Sequence, residues 1–436
     1  MVLRAHQQPG ITDVSSHMEA PALGVLDALG SYKERAKLLH VSDNRVTSRL
    51  TTMHWATLLL GLFEACAAIS TVNRKVCQYP TKKPLDGCPK NTILVGPGRN
   101  FSTIQSAVLS LPNDTTPHHI LILPGNYTEQ VNVTRPGPVY LFGQTKAPND
   151  QSQNTVNVIW RNATGAGLST LDNAYTSVLT VAPTFNASTT GSGPTGNPVP
   201  ADTPFGNSDF RAYNIDFSNL YAPYSAGPAL AVSVSYANTG FYYCGFYSYQ
   251  DTVYVGKLGN AYFYKNEIAG QTDFFYGFGT AWIQSSLVSL RSCGGGITAW
   301  KGTNTTFVNK YGVYIHDSDV KKANSSLSIT GKCALGRPWN SQHRSIFANC
   351  YLDDSIQPNG YIEWGSSDKR VNFNTTMAEY KDYGPGWNET ARLASNVSIV
   401  MDKKQYEPYS TLEKVFQYPF SGELGNTAWI DRHPER

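Results

Sequence analysis

At 436 residues with a formal net charge of +3, the chain is long enough to bury a large core, and its near-balance of charge gives no reason to expect a nucleic-acid partner. Charged residues make up 15% and aromatic residues 12%, alongside 37 glycines and 25 prolines. That composition suits a rigid extracellular β-protein better than a disordered or helical chain.

The first element in chain order is a short apolar run from Trp55 to Phe63, behind Arg49 and ahead of Ala65-Cys66-Ala67, a small-residue cleavage site. It is too short to span a membrane, and it reads as a signal peptide beginning at Met53 even though Glu64 interrupts it. This favours Met53 as the start of the protein over a genuine extension or a cytosolic leader. Residues 1–68 are thus expected to be leader and signal peptide, with the apolar run at about 55–67, and residues 69–436 a single domain. Sequons at Asn100, Asn113, Asn126, Asn132, Asn162, Asn186, Asn304, Asn324, Asn374, Asn388 and Asn396 fit export through a glycosylating pathway. Loss of Cys66 leaves Cys77, Cys88, Cys244, Cys293, Cys333 and Cys350, an even set that permits disulfides. Cys77 and Cys88 can clip the amino-terminal arm, and the other four suit either disulfides or buried free thiols. No Cys/His spacing suggests zinc, and neither a metal nor a cofactor is expected.

Further along, Ser102-Thr103-Ile104-Gln105 predicts a capping box that opens a short helix through Ala107, Val108 and Leu111, covering one end of the fold. Ile120 to Leu123 reads as a buried strand and Pro124-Gly125-Asn126-Tyr127 as its turn, and residues 184–207, rich in Gly, Ser, Thr, Pro and Asn, as a long surface loop. From about 205 to 352 one short phrase returns: Tyr243-Cys244-Gly245-Phe246, Lys265-Asn266-Glu267-Ile268, Ser285-Ser286-Leu287-Val288 and Asn349-Cys350-Tyr351-Leu352. A period near twenty residues is the mark of a solenoid, here a right-handed parallel β-helix in which Cys244, Asn266, Ser286 and Cys350 form a ladder. The alternative is a β-sandwich with coincidental spacing. The tail after about 380, ending near Trp429, is expected to pack back along the solenoid.

The chemistry is read partly from what is missing. There is no GxSxG elbow and no HExxH, and no histidine stands in Tyr249-Gln250-Asp251-Thr252, Gln271-Thr272-Asp273-Phe274-Phe275-Tyr276-Gly277 or Leu335-Gly336-Arg337-Pro338-Trp339. Carboxylates remain. Asp251 and Asp273 stand about one repeat apart, which places them on neighbouring strands roughly 5 Å apart. So close a pair splits its proton affinities, one member ionised and able to attack a carbonyl, the other protonated and able to serve a leaving group. The bland alternative is two surface aspartates that cap turns.

Together these motifs resemble the pectin methylesterases, over about residues 92 to 430. The resemblance rests on Gly125-Asn126-Tyr127-Thr128-Glu129, Gln250-Asp251-Thr252, Asp273-Phe274-Phe275-Tyr276-Gly277 and Leu335-Gly336-Arg337-Pro338-Trp339. It implies Asp273 as nucleophile, Asp251 as general acid/base, Gln250 as an oxyanion donor, Arg337 as the holder of Asp273, and Trp339 and Tyr276 as substrate-binding residues. The substrate it implies is pectin, a methylated polygalacturonate, hydrolysed in the cell wall by a secreted monomer with no membrane or nucleic-acid partner. One position departs from the family pattern: Ala229 stands where a second oxyanion glutamine is expected, and loss of one such donor costs about 10² to 10³ in rate. Ser225 or water could stand in. A carbohydrate-binding pseudoenzyme weakened by Ala229 is the alternative of another class. A polygalacturonase or lyase would share the scaffold but not these motifs.

If the apolar run is a signal peptide, the secreted protein begins near Ala68. Amino-terminal sequencing of material from the medium should read from there, and a sequence starting at Met1 would refute it.

Overall fold

A computed structural model describes residues 74–165, 171–191 and 198–435. The expected leader and signal peptide, residues 1–68, lie outside the described residues. The chain winds through short parallel strands joined by tight corners, as in Asn260–Tyr264, Glu267–Thr272, Phe275–Gly277 and then Thr280–Gln284. Most corners from the first strand of a coil to the second turn on a single left-handed residue: Asn214, Tyr243, Lys265, Ser285, Asp317, Asn349 and Lys381 all have φ between 48° and 55°. One such residue turns the backbone sharply without lengthening the coil. Each coil therefore lies in register on the last.

Three all-parallel sheets result among the described residues. One has eleven strands, from Ile93–Val95 to Ile399–Val400; one has eight, from Gly125–Thr128 to Tyr351–Leu352; one has six, from Val131–Val133 to Thr298–Trp300. The β-helix expected from the repeat is thus present. Its core consists of stacks of like residues between coils, such as Phe241 on Phe263, with ring centroids 5.0 Å apart. Val232, Val253 and Phe275 form another such stack, and all are fully buried.

The expected ladder follows each left-handed corner. Cys244 N–H donates to Asn266 Oδ1 (2.6 Å), Asn266 N–H to Ser286 Oγ (3.1 Å), Ser286 N–H to Ser318 Oγ (3.1 Å) and Cys350 N–H to Asp382 Oδ1 (2.7 Å). Ser318 and Asp382 extend it beyond the sequence reading. The period hides Ser318 because later coils carry loops: Asn238 pairs with Asn260 and Asn260 with Thr280, but Thr280 then pairs with Gly312. Cys77–Cys88 and Cys293–Cys333 are disulfides, whereas Cys244 and Cys350 are buried free thiols.

Three local expectations need correction. The helix spans Ile104–Leu109 and its N-cap is Thr103, not Ser102. Gln105 does not close a capping box, because its side chain bonds the backbone of Asn132 (2.6 and 3.3 Å). Instead Glu129 accepts from Ile104 N–H and Gln105 N–H, both at 2.8 Å, and so caps the helix from another coil. The expected turn at Gly125 is the start of a strand, Gly125–Thr128, because its backbone pairs with Val156–Ile159. Within the 184–207 segment, Phe185–Ser188 forms a 3₁₀ turn, and buried Asn207 donates to Arg135 O and Gly137 O.

The tail packs back along the solenoid as expected. It lays Tyr406, Phe416 and Trp429 over the outer aromatic face of the eleven-stranded sheet, where Tyr213, Tyr242, Trp282 and Tyr314 stand. Tyr213 Oη donates to Asp431 Oδ2 (2.9 Å), and Arg74 donates to Pro434 O. The end of the chain thereby ties to its first described residues.

Glu129→Ala should lower unfolding free energy by about 1–2 kcal/mol, because two helix donors lose a charged acceptor. Urea unfolding measures this, and a midpoint unchanged from wild type would contradict the cap.

Candidate active site

The corner from the eight-stranded to the six-stranded sheet repeats the left-handed device, and here its residues are Asp251 (φ 60°) and Asp273 (φ 48°). Aspartate tolerates this conformation better than most residues. The strands beyond this corner pair Val253 with Phe275, and Asp251 N–H donates to Thr272 O (3.1 Å). Both carboxyls therefore leave the same corner of adjacent coils. Each residue is only 7% exposed.

Arg337 reaches Asp273 from further along the solenoid. Phe275 pairs with Thr298 and Thr298 bridges to Gly336, so a whole coil lies between the two partners. Across it the guanidinium forms a fork: Nε to Asp273 Oδ1 at 2.9 Å and Nη2 to Oδ2 at 2.6 Å. The intervening coil contributes Gly295 and Gly296. A Cβ on Gly295 (φ 62°) would lie 2.6 Å from Asp273 Oδ1 and 2.9 Å from Arg337 Cζ, and one on Gly296 would lie 2.6 Å from Gly336 Cα. Two glycines leave the gap through which the pair meets. Gly296 N–H adds a third bond to Asp273 Oδ1 (3.0 Å). The face of Arg337 lies 4.1 Å from the Trp364 ring, and Arg370 lies 4.1 Å from the same ring.

Electrostatics separates the two carboxyls. Burial pushes Asp251 well above the usual carboxyl range; the charge of Asp273 adds to the rise and Arg337 opposes it. A long contact from Asn173 Nδ2 (3.5 Å) reaches its Oδ2. Asp273, by contrast, accepts a charged fork and a backbone N–H. One carboxyl is thus set to hold a proton, and the other lies in a fork of donors.

The remaining residues singled out in the sequence gather here too. Gln250 bridges to Thr272, and its Oε1 accepts from Ser225 Oγ (2.7 Å), which leaves its amide N–H groups to donate elsewhere. Ser225 is thus engaged by Gln250. Ala229 stands one coil earlier, 6% exposed, with its N–H on Gln250 O (3.1 Å). Trp339 is half-buried on Tyr276, with ring centroids 5.7 Å apart. Tyr276 itself is 3% exposed and backs the tryptophan. Lys301 Nζ lies 4.3 Å from the rings of both Trp339 and Phe278, and burial lowers its ammonium to about 8 against the opposing charge of Asp172. Beside Phe278 a cavity of about 680 Å³ opens, lined also by Tyr236, Lys257 and Tyr311.

Sequence reasoning missed Gly295, Gly296, Asn173 and Trp364. The run Gly294-Gly295-Gly296 was a legible signal, since three successive glycines mark a close backbone approach. Asn173 and Trp364 carried no such mark. Among the described residues no group of three or more His, Cys, Asp or Glu could hold a metal ion, and no helix is long and apolar enough to cross a membrane.

Comparison with known proteins gives one consistent result. A family model described as Pectinesterase matches residues 200–416. "Probable pectinesterase A" of Aspergillus oryzae is 29% identical over 329 residues, covering 75% of this chain and 89% of that protein. The protein of the same description from Neosartorya fischeri is 27% identical over 357 residues, covering 77% and 98%. Among solved structures, the pectin methylesterase of Aspergillus niger superposes with a TM-score of 0.60 at 25% identity, over 79% of this chain and 98% of that one.

A carboxyl raised by burial binds its proton more tightly in the folded state. Stability from Asp251 is therefore full below the unfolded value, 3.8, and is lost as pH rises toward the folded value. Asp251→Asn should accordingly unfold at higher denaturant than wild type at pH 7, with the gap closing as pH falls below the ordinary carboxyl range. Equal midpoints at pH 7 would argue against a buried, proton-holding Asp251.

Proposed function

The chain belongs to the pectinesterase family, and on that footing we propose that its paired aspartates hydrolyse the methyl esters of polygalacturonate, giving pectate and methanol. The observation that carries the proposal is the asymmetry of the pair. The arginine fork falls on Asp273, while Asp251 is buried beside it without a comparable partner. Asp273 is the nucleophile: its carboxylate oxygen bonds to the ester carbonyl carbon. As the tetrahedral adduct collapses, the bond to methoxide breaks and Asp251 gives that oxygen its proton. Asp251, now ionised, takes a proton from water whose oxygen attacks the acyl-enzyme, and Asp273 leaves as a carboxylate. Both residues return to their starting states.

Gln250 supplies the oxyanion donor. Ser225 holds its carbonyl end, so the amide N–H groups are available to the developing charge, which supports a working site despite Ala229. Trp339, backed by Tyr276, offers its face to a galacturonate ring. The Lys301 and Lys257 ammonium groups beside this surface suit a substrate that carries free carboxylates. Secretion to the cell wall is supported by two disulfides and by eleven sequon asparagines of which none is buried. The helix over one end and the tail along the outer face favour action as a monomer.

Asp273→Ala should abolish methanol release from methylated pectin with the fold intact, as measured by circular dichroism and an alcohol-coupled assay. Arg337→Lys should lower kcat by about 10²-fold or more, since a point charge cannot reproduce the fork. Near wild-type turnover in the Asp273→Ala protein would eliminate the mechanism.

A further inference from the structure

We propose that the Cys293–Cys333 disulfide is a positioning element for the Asp273–Arg337 pair, so that turnover, and not only stability, depends on its being oxidised. The inference rests on the hydrolytic reading above. Its starting point is a break in the ladder. Strand Leu287–Gly294 pairs with Glu267–Thr272 up to Gly270 opposite Leu290, and pairing resumes at Thr272 opposite Gly294. Arg291, Ser292 and Cys293 thus stand against Gln271 alone. Such a bulge disrupts the ladder and bends the strand.

Directly after the bulge comes the least restrained backbone that a chain can have, Gly294-Gly295-Gly296. The site nevertheless needs it fixed. Gly296 N–H must meet Asp273 Oδ1, and Gly295 must stay out of the gap that the arginine crosses. Non-covalent anchors beside the bulge are few: Arg291 Nη1 donates to Ser248 O (3.1 Å), and its guanidinium lies 4.9 Å from the Tyr249 ring.

The disulfide supplies the missing restraint. Cys333 begins the segment Cys333-Ala334-Leu335-Gly336-Arg337, and Cys293 lies just ahead of the glycines, so the bond joins the coil that frames Asp273 to the coil that delivers Arg337. Beyond it the two coils are already matched: Ile297 N–H donates to Ala334 O (3.0 Å), Thr298 N–H to Leu335 O (3.1 Å) and Arg337 N–H to Thr298 O (2.9 Å). The bond locks the end of that match nearest the bulge. A fork made across an intervening coil needs the spacing held to within about half an ångström. Cys77–Cys88 is the natural control, for it packs in a separate hydrophobic cluster with the tail.

The test compares C293S/C333S with C77S/C88S for methanol release and thermal unfolding, at a temperature where both remain folded. C293S/C333S should lose about tenfold or more in kcat with KM within about twofold. C77S/C88S should melt earlier but keep its kcat. In case C293S/C333S fails to fold, the folded C77S/C88S protein is treated with a phosphine. The phosphine, oxidised to its oxide, delivers two electrons that with two protons convert Cys293–Cys333 to two thiols. Methanol release should fall in step with the appearance of those two thiols and return on reoxidation. An unchanged kcat in the folded variant or in the fully reduced protein would overturn the proposal, as would a rise in KM alone. If oxidised wild type releases no methanol from pectin, the hydrolytic reading itself falls, and this one with it.

Discussion

The structure depends on one conformational constraint, the single left-handed residue that turns the chain from strand to strand. Glycine would adopt it most readily, yet Tyr243, Lys265 and Ser285 occupy it at the first corner and Asp251 and Asp273 at the second. The cost of left-handed backbone at such residues is offset by the stacking it permits. With one left-handed residue per corner, Phe241 falls on Phe263 and Cys244 on Asn266, and like side chains meet from coil to coil. A corner longer by one residue would turn every subsequent side chain to the other face. Most variation in coil length accordingly falls in loops such as residues 301–311, between strands of different sheets.

The same constraint builds the active site. Because both aspartates occupy the corner conformation in successive coils, their carboxyls emerge side by side from rigid backbone and not from a mobile loop. Adjacency alone would leave them equivalent. The difference arises from what lies two coils further on, where the glycine pair opens a passage for Arg337 toward one aspartate. The asymmetry of the pair is therefore a property of the stack, set by the order of residues along the axis.

A second arginine–carboxylate pair shows how burial decides the use of the same groups. Arg392 donates to Glu379 (2.7 Å) with both side chains fully buried, and the guanidinium also serves the carbonyls of Gln357, Pro358 and Gly386. Every donor is committed, so the pair can only hold the tail to the last coils. At the corner of the paired aspartates the Asp273 and Arg337 side chains keep 9% and 21% exposure, and Trp339 and Trp364 are half-buried beside it. The buried proton on Asp251 carries a cost in stability at neutral pH, a familiar exchange of stability for function.

The solenoid, the ladder positions and the motifs that the fold gathers at the candidate site were all legible in the amino-acid sequence. Each of these is written at short range: the recurring phrase around Cys244, Asn266 and Ser286 reflects one corner per coil, and the motifs around Asp251, Asp273 and Arg337 are contiguous. The sequence left open which cysteines pair, because Cys293 and Cys333 meet only after a loop has been folded out of the coil between them. It misplaced the helix cap, since Glu129 is brought to Ile104 by stacking and not by helical spacing. It could not reveal that Tyr276, read as substrate-binding, packs under Trp339, or that Gly295 and Gly296 are the gap through which the ion pair forms. Folding in three dimensions settled these points, because contacts between coils join residues whose distance along the chain is set by the lengths of the intervening loops, and no local pattern records that distance.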